Sequence, residues 1–211
     1  RYSVFAGGKR LRPLLVITTA GIFGVPLEHA LPAACAIEMI HTYSLIHDDL
    51  PALDNDDYRR GLAANHKVFG EAMAILAGDA LLTAAFETLS IEAPHFFPPD
   101  IVVSLIQEIS CAAGITGMIG GQVVDILSEG RSVHPDVLAY IHRHKTGALI
   151  TCCVRCGARM GQAAPEQLQA LTAYGEKVGL AFQIVDDILD VVGDEAVLGK
   201  KTGADAGKKK V

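Results

Sequence analysis

The sequence contains no tryptophan, and aromatic residues make up only 6% of its 211 residues. Half of the residues are nevertheless hydrophobic. Their stretches are rich in Ala, Leu, Ile and Gly and rarely show the apolar-polar alternation that marks a half-buried β-strand. Because a chain of this length can bury a sizeable core, we predict an all-α protein with one domain spanning residues 1–211.

Positive charge is also scarce, since 18 Lys and Arg residues face 24 Asp and Glu residues and the formal net charge is −6. This balance argues against a nucleic-acid surface. No uninterrupted apolar run reaches the roughly 18 residues of a membrane span, so we expect no stable membrane insertion. The chain starts at Arg1 and ends in a lysine run before Val211, and we expect it to be incomplete at both ends.

The five cysteines form no regular framework. Cys153 and Cys156 have the spacing of a redox or zinc pair, but no second pair accompanies them and no strand pattern precedes them. We therefore predict that the cysteines pack in the core of a protein of the reducing cytoplasm.

Apolar residues at helical spacing, together with Gly and Pro, predict a series of helices. One begins after Gly7-Gly8, and a second opens at Pro26 and is apolar on most faces until Pro51 ends or kinks it beside Asp48-Asp49. The glycines between 114 and 121 predict a close helix crossing or a break. A mobile loop is expected from residue 193. Further helices are predicted at 68–89, 135–144, 146–160 and 165–192. Another is predicted to begin after Pro98-Pro99, with Asp100 as its cap.

Two aspartate clusters follow apolar helical segments. In Asp48-Asp49-Leu50-Pro51-Ala52-Leu53-Asp54, like charges at a helix end oppose one another and the helix dipole, so a cation should compensate them. Asp186 and Asp190 lie four residues apart, on one helix face. Mg²⁺ prefers such oxygen ligands and is usually completed by substrate phosphates. One such run is often only a cap or a solvated face, but two predict a phosphorylated substrate held through Mg²⁺, or Mn²⁺ in its place.

Three basic groups complement these acids. The first is Gly7-Gly8-Lys9-Arg10-Leu11-Arg12-Pro13, where a helix start favours an anion. The others are Arg59-Arg60, an arginine pair suited to phosphate oxygens, and Lys145-Thr146. Each taken alone also fits a solvated helix start or a surface ion pair.

Together these motifs closely resemble the trans-isoprenyl diphosphate synthases, and within that family the bacterial farnesyl diphosphate synthases, whose first motif has the longer spacer seen between Asp49 and Asp54. The resemblance spans nearly the whole chain. The residues that carry it are the basic motif at 7–13, His41 with Ser44-Leu45-Ile46-His47-Asp48-Asp49, Arg59-Arg60-Gly61, His144-Lys145-Thr146-Gly147, and Phe182-Gln183-Ile184-Val185-Asp186-Asp187-Ile188-Leu189-Asp190.

The resemblance implies a helical bundle of the isoprenoid-synthase type around a deep central cavity, working as a homodimer. It also implies a prenyltransferase that ionises dimethylallyl or geranyl diphosphate with Mg²⁺ and joins it to isopentenyl diphosphate. The expected product is farnesyl diphosphate, with geranylgeranyl diphosphate as the alternative.

The resemblance also assigns roles by position. The metal ligands would be Asp48, Asp54 and Asp186, supported by Asp49, Asp187 and Asp190. The allylic diphosphate would contact Arg59, Lys145, Thr146, Gln183 and Lys200. Isopentenyl diphosphate would contact Lys9, Arg12, His41 and Arg60. The catalytic group comprises Asp48, Asp49, Asp54, Asp186 and Lys145, while Asp79, Gln122 and Asp125 would act through neighbouring residues.

Product length is expected to depend on Tyr43, together with Ser44. Residues before Asp48 lie deeper along the same helix by about 1.5 Å each, which puts Tyr43 roughly 7.5 Å below the metal end. A ring there resembles the farnesyl type and predicts a floor that stops chain growth. The other interpretation is that Tyr43 only fills the core.

One departure and three rival functions remain open. Leu62-Ala63-Ala64 stands where the family usually has Lys-Pro-Thr, which removes a cation near the mouth of the site. A metal phosphohydrolase of the histidine-aspartate (HD) type would use His41, His47, Asp48 and Asp186. A non-catalytic synthase-like subunit would only modulate a partner, and a terpene cyclase would not need the basic set for a second diphosphate.

Overall fold

The computed structural model describes residues 1–192, except for the side chains at 187, 190, 191 and 192. The predicted loop from residue 193 onward lies outside this part. Within it the chain is helical apart from one small hairpin, so the all-α prediction is confirmed. The α-helices are α1 (Leu11–Ile22), α2 (Leu27–Asp48), α3 (Asn65–Phe69), α4 (Glu71–Glu92), α5 (Pro99–Ala113), α6 (Met118–Ser128), α7 (Pro135–Ile141), α8 (Ala148–Met160) and α9 (Pro165–Val192).

Helices α2 and α8 organise the bundle. Helix α2 packs along α4 and α1, while α8 packs against α1, α5 and α9. Ile37 and Ile40 of α2 and Leu149 of α8 are fully buried in the shared core. Alanines on several sides of α2 are buried as well, as predicted for a helix that is apolar nearly all round.

Helix α2 ends at Asp48, as Pro51 predicted. The chain then turns into a two-residue antiparallel hairpin, β1 (Tyr58–Arg59) and β2 (Leu62–Ala63). Arg59 of the hairpin contacts Asp49 at the end of α2, whereas the next residue, Arg60, lies near Glu38 within the helix.

The single helix predicted for residues 68–89 is wrong. Two helices occupy this stretch, because α3 ends at Phe69 and α4 begins at Glu71. Gly70 lies between them with φ +85°, a left-handed conformation that glycine adopts without a side-chain clash. The predicted cap at Asp100 is also wrong, since α5 starts one residue earlier and its N-cap is Pro98.

The break predicted between residues 144 and 146 is also wrong. A π-helical turn, His142–Gly147, joins α7 to α8 without interruption. The predicted glycine features are confirmed: α5 and α6 are separated between 114 and 117, and α6 crosses the π-turn at Gly121. A Cβ on Gly121 would lie 2.2 Å from the backbone nitrogen of Lys145. Single π-turns often occur at functional sites.

Three of the five cysteines pack in the core, as predicted. Cys152, Cys153 and Cys156 are buried and free, whereas Cys35 and Cys111 are exposed. The Cys153 thiol donates to the Leu149 carbonyl at 3.0 Å, and burial raises its pKa. Among the described residues no group of three or more His, Cys, Asp or Glu is arranged to hold a metal, so Cys153 and Cys156 do not form a zinc site there.

Two helical stretches, Glu71–His95 and Pro99–Ser128, are long and apolar enough to cross a membrane by length and average composition. Core helices of soluble proteins meet the same criterion. Both stretches carry charged residues such as Asp79 and Glu108, and their helices α4 and α5 pack against α2 and α8 in the bundle. The absence of stable membrane insertion therefore stays a prediction.

A partly buried ion cluster joins α5, α8 and α9. Arg155 donates to both oxygens of Glu108 at 2.7 and 2.6 Å and to the Thr172 hydroxyl at 2.7 Å, while Arg159 donates to Glu108 at 3.1 Å. Burial raises the pKa of Glu108, but its bonds to the two arginines outweigh burial and leave the pKa below its usual value.

Replacing Glu108 with glutamine is expected to lower the melting temperature at neutral pH by several degrees, corresponding to about 1–2 kcal/mol. A carboxyl whose pKa is lowered by folding stabilises the fold when the pH is above the pKa that the group has in the unfolded chain. This contribution to stability is lost as the pH falls through the lower pKa of the folded state. Thermal unfolding followed by circular dichroism should therefore show the difference from wild type narrowing below about pH 4. Exposed Glu176 of α9, changed to glutamine, is the control and should leave the melting temperature unchanged.

Candidate active site

A cavity of about 930 Å³ opens at the end of the bundle where α2 and α9 meet the start of α1, the hairpin, α6 and the π-turn. Sequence analysis predicted about half of the residues that line it. The predicted residues on its wall are Lys9, Arg12, His41, Tyr43, Ser44, Asp48, Arg59, Arg60, Lys145, Thr146, Gln183 and Asp186, with Asp79 and Gln122 beside them.

The two aspartate clusters share this cavity, because Asp48 from α2 and Asp186 from α9 both line it. Asp54 lies next to the first motif, since its amide donates to the Asp48 carbonyl at 2.7 Å. The side chains of Asp187 and Asp190 lie outside the described part of the structure, as does Lys200. Of the predicted metal ligands, Asp48 and Asp186 therefore line the cavity, and metal binding by these residues stays a prediction.

Asp49 has a different setting from Asp48. Its side chain is buried, with 2% of the residue exposed, and lies in a small second cavity. One oxygen accepts hydrogen bonds from Nε of Arg59, at 2.8 Å, and from its Nη2. Burial lowers the pKa of Arg59, but the bond and charge of Asp49 more than offset this, so the pKa is raised. Asp49 therefore fixes Arg59 in the wall, and metal binding by Asp49 stays a prediction.

An arginine–histidine pair, Arg12 and His41, lies on the same wall. Nη1 of Arg12 lies 3.2 Å from Nε2 of His41. Burial, followed by the charges of Arg12 and other arginines, lowers the pKa of His41 well below its usual value. The imidazole is therefore neutral, and because arginine only donates, Nε2 accepts and the ring proton is on Nδ1.

Arg12 is almost fully buried, and burial lowers its pKa. Its Nε is buried with no hydrogen-bond partner among the described residues. A buried donor without a partner costs free energy, and an anion entering the cavity would satisfy it.

The π-turn supplies the opposite side of the cavity. Nζ of Lys145 donates to Asp125 at 2.5 Å, and the Thr146 hydroxyl donates to Gln183 at 2.8 Å. These contacts link the turn to α6 and α9. They place Lys145 and Thr146 at the cavity with Asp125 directly behind Lys145.

Tyr43 also lines the cavity. The residue is 6% exposed, and its ring meets the ring of His47 edge-on at 5.8 Å. His47 in turn lies 3.0 Å from the Ile75 carbonyl, in space left by Gly78, where a Cβ would lie 2.0 Å from the imidazole.

The residues of the sequence departure at 62–64 line the smaller cavity. Leu62, Ala63 and Ala64 line the small cavity that holds Asp49; among the described residues they are not part of the large one. Sequence analysis missed two acidic residues of the large cavity, Glu38 and Asp56, and included Arg10 only as a member of the basic motif. An available signal for Glu38 was a carboxylate in an apolar helix, one turn from His41 and on the same face.

Comparisons with known proteins identify the family of the chain. The polyprenyl synthetase family model matches residues 1–211. The chain is 52% identical to farnesyl diphosphate synthase of Geobacillus stearothermophilus, covering 99% of this chain and 70% of the relative. It is 55% identical to farnesyl diphosphate synthase of Escherichia coli, covering 97% and 69%, and 48% identical to geranylgeranyl diphosphate synthase of Cyanophora paradoxa, covering 97% and 68%.

A solved structure shows the same fold. A geranyltransferase from Helicobacter pylori, complexed with magnesium and isoprenyl diphosphate, superposes with a TM-score of 0.90 at 38% identity, over 99% of this chain and 70% of that one. The chain belongs to the polyprenyl synthetase family. The predictions of family, helical fold and trans-prenyltransferase class are confirmed. The HD-type phosphohydrolase alternative loses its support.

Proposed function

We propose that the protein joins dimethylallyl or geranyl diphosphate to isopentenyl diphosphate and forms farnesyl diphosphate. One observation carries this proposal: acidic Asp48 and Asp186 and a separate basic set around Arg12 and His41 line the same cavity. This arrangement suits two diphosphates, one bound through metal and one bound directly. A terpene cyclase has no need of the second site.

A divalent cation fits the acidic side. Asp48 and Asp186 present carboxylate oxygens to an open cavity, and Mg²⁺ prefers such ligands while keeping positions for water and phosphate oxygens. Asp54 would join them, with support from Asp49, Asp187 and Asp190. Mn²⁺ has similar ligand preferences. Bound there, the ion would neutralise charge that develops on the leaving diphosphate.

The side chains of this wall divide the reaction between them. Arg59, Lys145 and Thr146, with Gln183 and Lys200, would hold the allylic diphosphate while its carbon–oxygen bond breaks and charge accumulates on the phosphate oxygens. The apolar side near Tyr43 would hold the hydrocarbon cation and exclude water. The hydrocarbon cation then forms a carbon–carbon bond with isopentenyl diphosphate, and the released diphosphate accepts the departing proton. The residues that would hold isopentenyl diphosphate are Lys9, Arg12, His41 and Arg60.

We also propose a cytoplasmic homodimer built from a single domain. Helix α4 supports the dimer because several of its large apolar side chains are exposed, among them Met73, Leu76 and Ile91. Large exposed apolar patches typically mark interfaces, and we expect the dimer contact on this helix.

Incubation of the purified protein with radiolabelled isopentenyl diphosphate, each allylic diphosphate in turn and Mg²⁺ tests the proposal. Chromatography of the products should show farnesyl diphosphate. A main product of geranylgeranyl length would favour the alternative synthase. A folded protein without turnover would instead indicate a non-catalytic subunit.

Replacing Tyr43 with alanine is expected to make the main product at least one isoprene unit longer. The ring lies on the apolar wall of the cavity, and removing it leaves room for a longer hydrocarbon. Product chromatography checks this. Tyr174 of α9, which is exposed, changed to alanine is the control. An unchanged product from the Tyr43 variant would mean that this residue only fills the core.

A further inference from the structure

Glu38 is a buried carboxylate within the basic side of the cavity. It is 8% exposed, and its Oε1 accepts a hydrogen bond from Nη1 of Arg10. Nη2 of Arg60 lies 3.7 Å from the same oxygen. One carboxylate oxygen therefore holds together arginines from the start of α1 and from the hairpin.

The backbone around both arginines is unusual. Arg10 has φ +51° and Arg60 has φ +54°, a left-handed conformation that non-glycine residues adopt at a cost and keep only where contacts impose it. Arg60 also donates to the Gly7 carbonyl at 3.0 Å. Gly8 permits this approach, because a Cβ there would lie 2.7 Å from Cζ of Arg60.

The charges around Glu38 explain why an acid is useful in a site for an anion. Burial and the charges of neighbouring arginines lower the pKa values of Arg12 and Arg60, and the negative charge of Glu38 partly offsets this lowering. One carboxylate among several cations leaves the set net positive. It also holds the arginines in place before the anion enters, which reduces the ordering cost of binding.

We propose that Glu38, through its contacts with Arg10 and Arg60, is a positioning residue for the second diphosphate, that of isopentenyl diphosphate. This inference rests on the proposed function. Glu38 acts on the substrate through the arginines, because a carboxylate in contact with the diphosphate would repel it.

Loss of the Glu38 charge has two opposite consequences. It makes the site more positive, which favours an anion, and it leaves Arg10 and Arg60 without the group that orients them. The second effect is larger, because the carboxylate contacts Arg10 directly and both arginine backbones are strained. Glu38→Gln is therefore expected to raise KM for isopentenyl diphosphate about tenfold, as for other groups that orient a ligand shell, with kcat and the allylic KM within about twofold.

The matched control is Glu108→Gln, which also removes a largely buried carboxylate that holds two arginines but lies away from the cavity. It is expected to lower stability and leave both KM values unchanged. Glu38→Asp keeps the charge but withdraws it by one methylene, so its KM for isopentenyl diphosphate should lie between those of wild type and Glu38→Gln. If Glu38→Gln does not fold, the KM of Glu38→Asp for isopentenyl diphosphate tests the positioning role, which predicts a value above that of wild type.

The steady-state assay separates the outcomes. A rise confined to KM for isopentenyl diphosphate, partly restored in Glu38→Asp, supports the positioning role. An unchanged or lower KM for isopentenyl diphosphate in Glu38→Gln, or an equal rise in KM for both substrates, overturns the positioning role and leaves the proposed function intact. A wild-type protein that forms no product overturns the proposed function itself, and this inference with it.

Discussion

Asparagine in place of Asp186 is expected to lower kcat for condensation by about 10²- to 10³-fold while the protein remains folded. Asp186 and Asp48 line the same cavity from different helices. Asparagine has nearly the same size but lacks the charge that would hold a divalent cation against the leaving diphosphate. The loss should therefore appear in the chemical step. Steady-state kinetics at saturating substrates and Mg²⁺ measure it.

The same loss is expected for Asp48→Asn, since both aspartates serve one metal-bound leaving group. Asp100 lies exposed in the first turn of α5, and Asp100→Asn is the control with wild-type kinetics. Activity of the Asp186 variant within about twofold of wild type would show that this carboxylate takes no part in the reaction.

The second large effect is expected at Arg12. Removing its buried guanidinium by Arg12→Gln should raise KM for isopentenyl diphosphate about 10²-fold, because a desolvated charge pair with phosphate is worth about 3 kcal/mol. Arg12→Lys keeps the charge but loses the planar fork of donors. Its KM for isopentenyl diphosphate should therefore lie between those of wild type and Arg12→Gln. Progress curves at varied concentrations of isopentenyl diphosphate give KM for this substrate.

Exposed Arg131, changed to glutamine, is the control for Arg12. The allylic KM should not move in any of these variants. If the KM values for both substrates rose together, Arg12 would serve the fold or the whole cavity rather than the second diphosphate.

The sequence was most informative where the signal was local. The end of α2 at Asp48 followed from Pro51, and the position of Asp186 on α9 followed from helical periodicity. The longer spacer between Asp49 and Asp54 and the order of the motifs indicated the family. The break at Gly70 was missed because the apolar pattern continues on both sides of it. The π-turn was missed because a break between residues 144 and 146 was predicted where the helix continues.

Contacts between distant segments were less predictable. Neighbouring aspartates in a motif need not act together, because successive side chains on a helix point in different directions. Asp48 lines the cavity, while Asp49 is buried against Arg59. The link from Arg10 through Glu38 to Arg60 joins three segments, and no spacing within the sequence indicates it.

Calorimetric titration of the protein with an unreactive allylic thiolodiphosphate, with and without Mg²⁺, tests most directly whether the two aspartate clusters bind one diphosphate through metal. The account predicts binding that requires Mg²⁺, disappears on chelation and is lost in both Asp48→Asn and Asp186→Asn. Equal affinity in the absence of Mg²⁺, or in either variant, would contradict it.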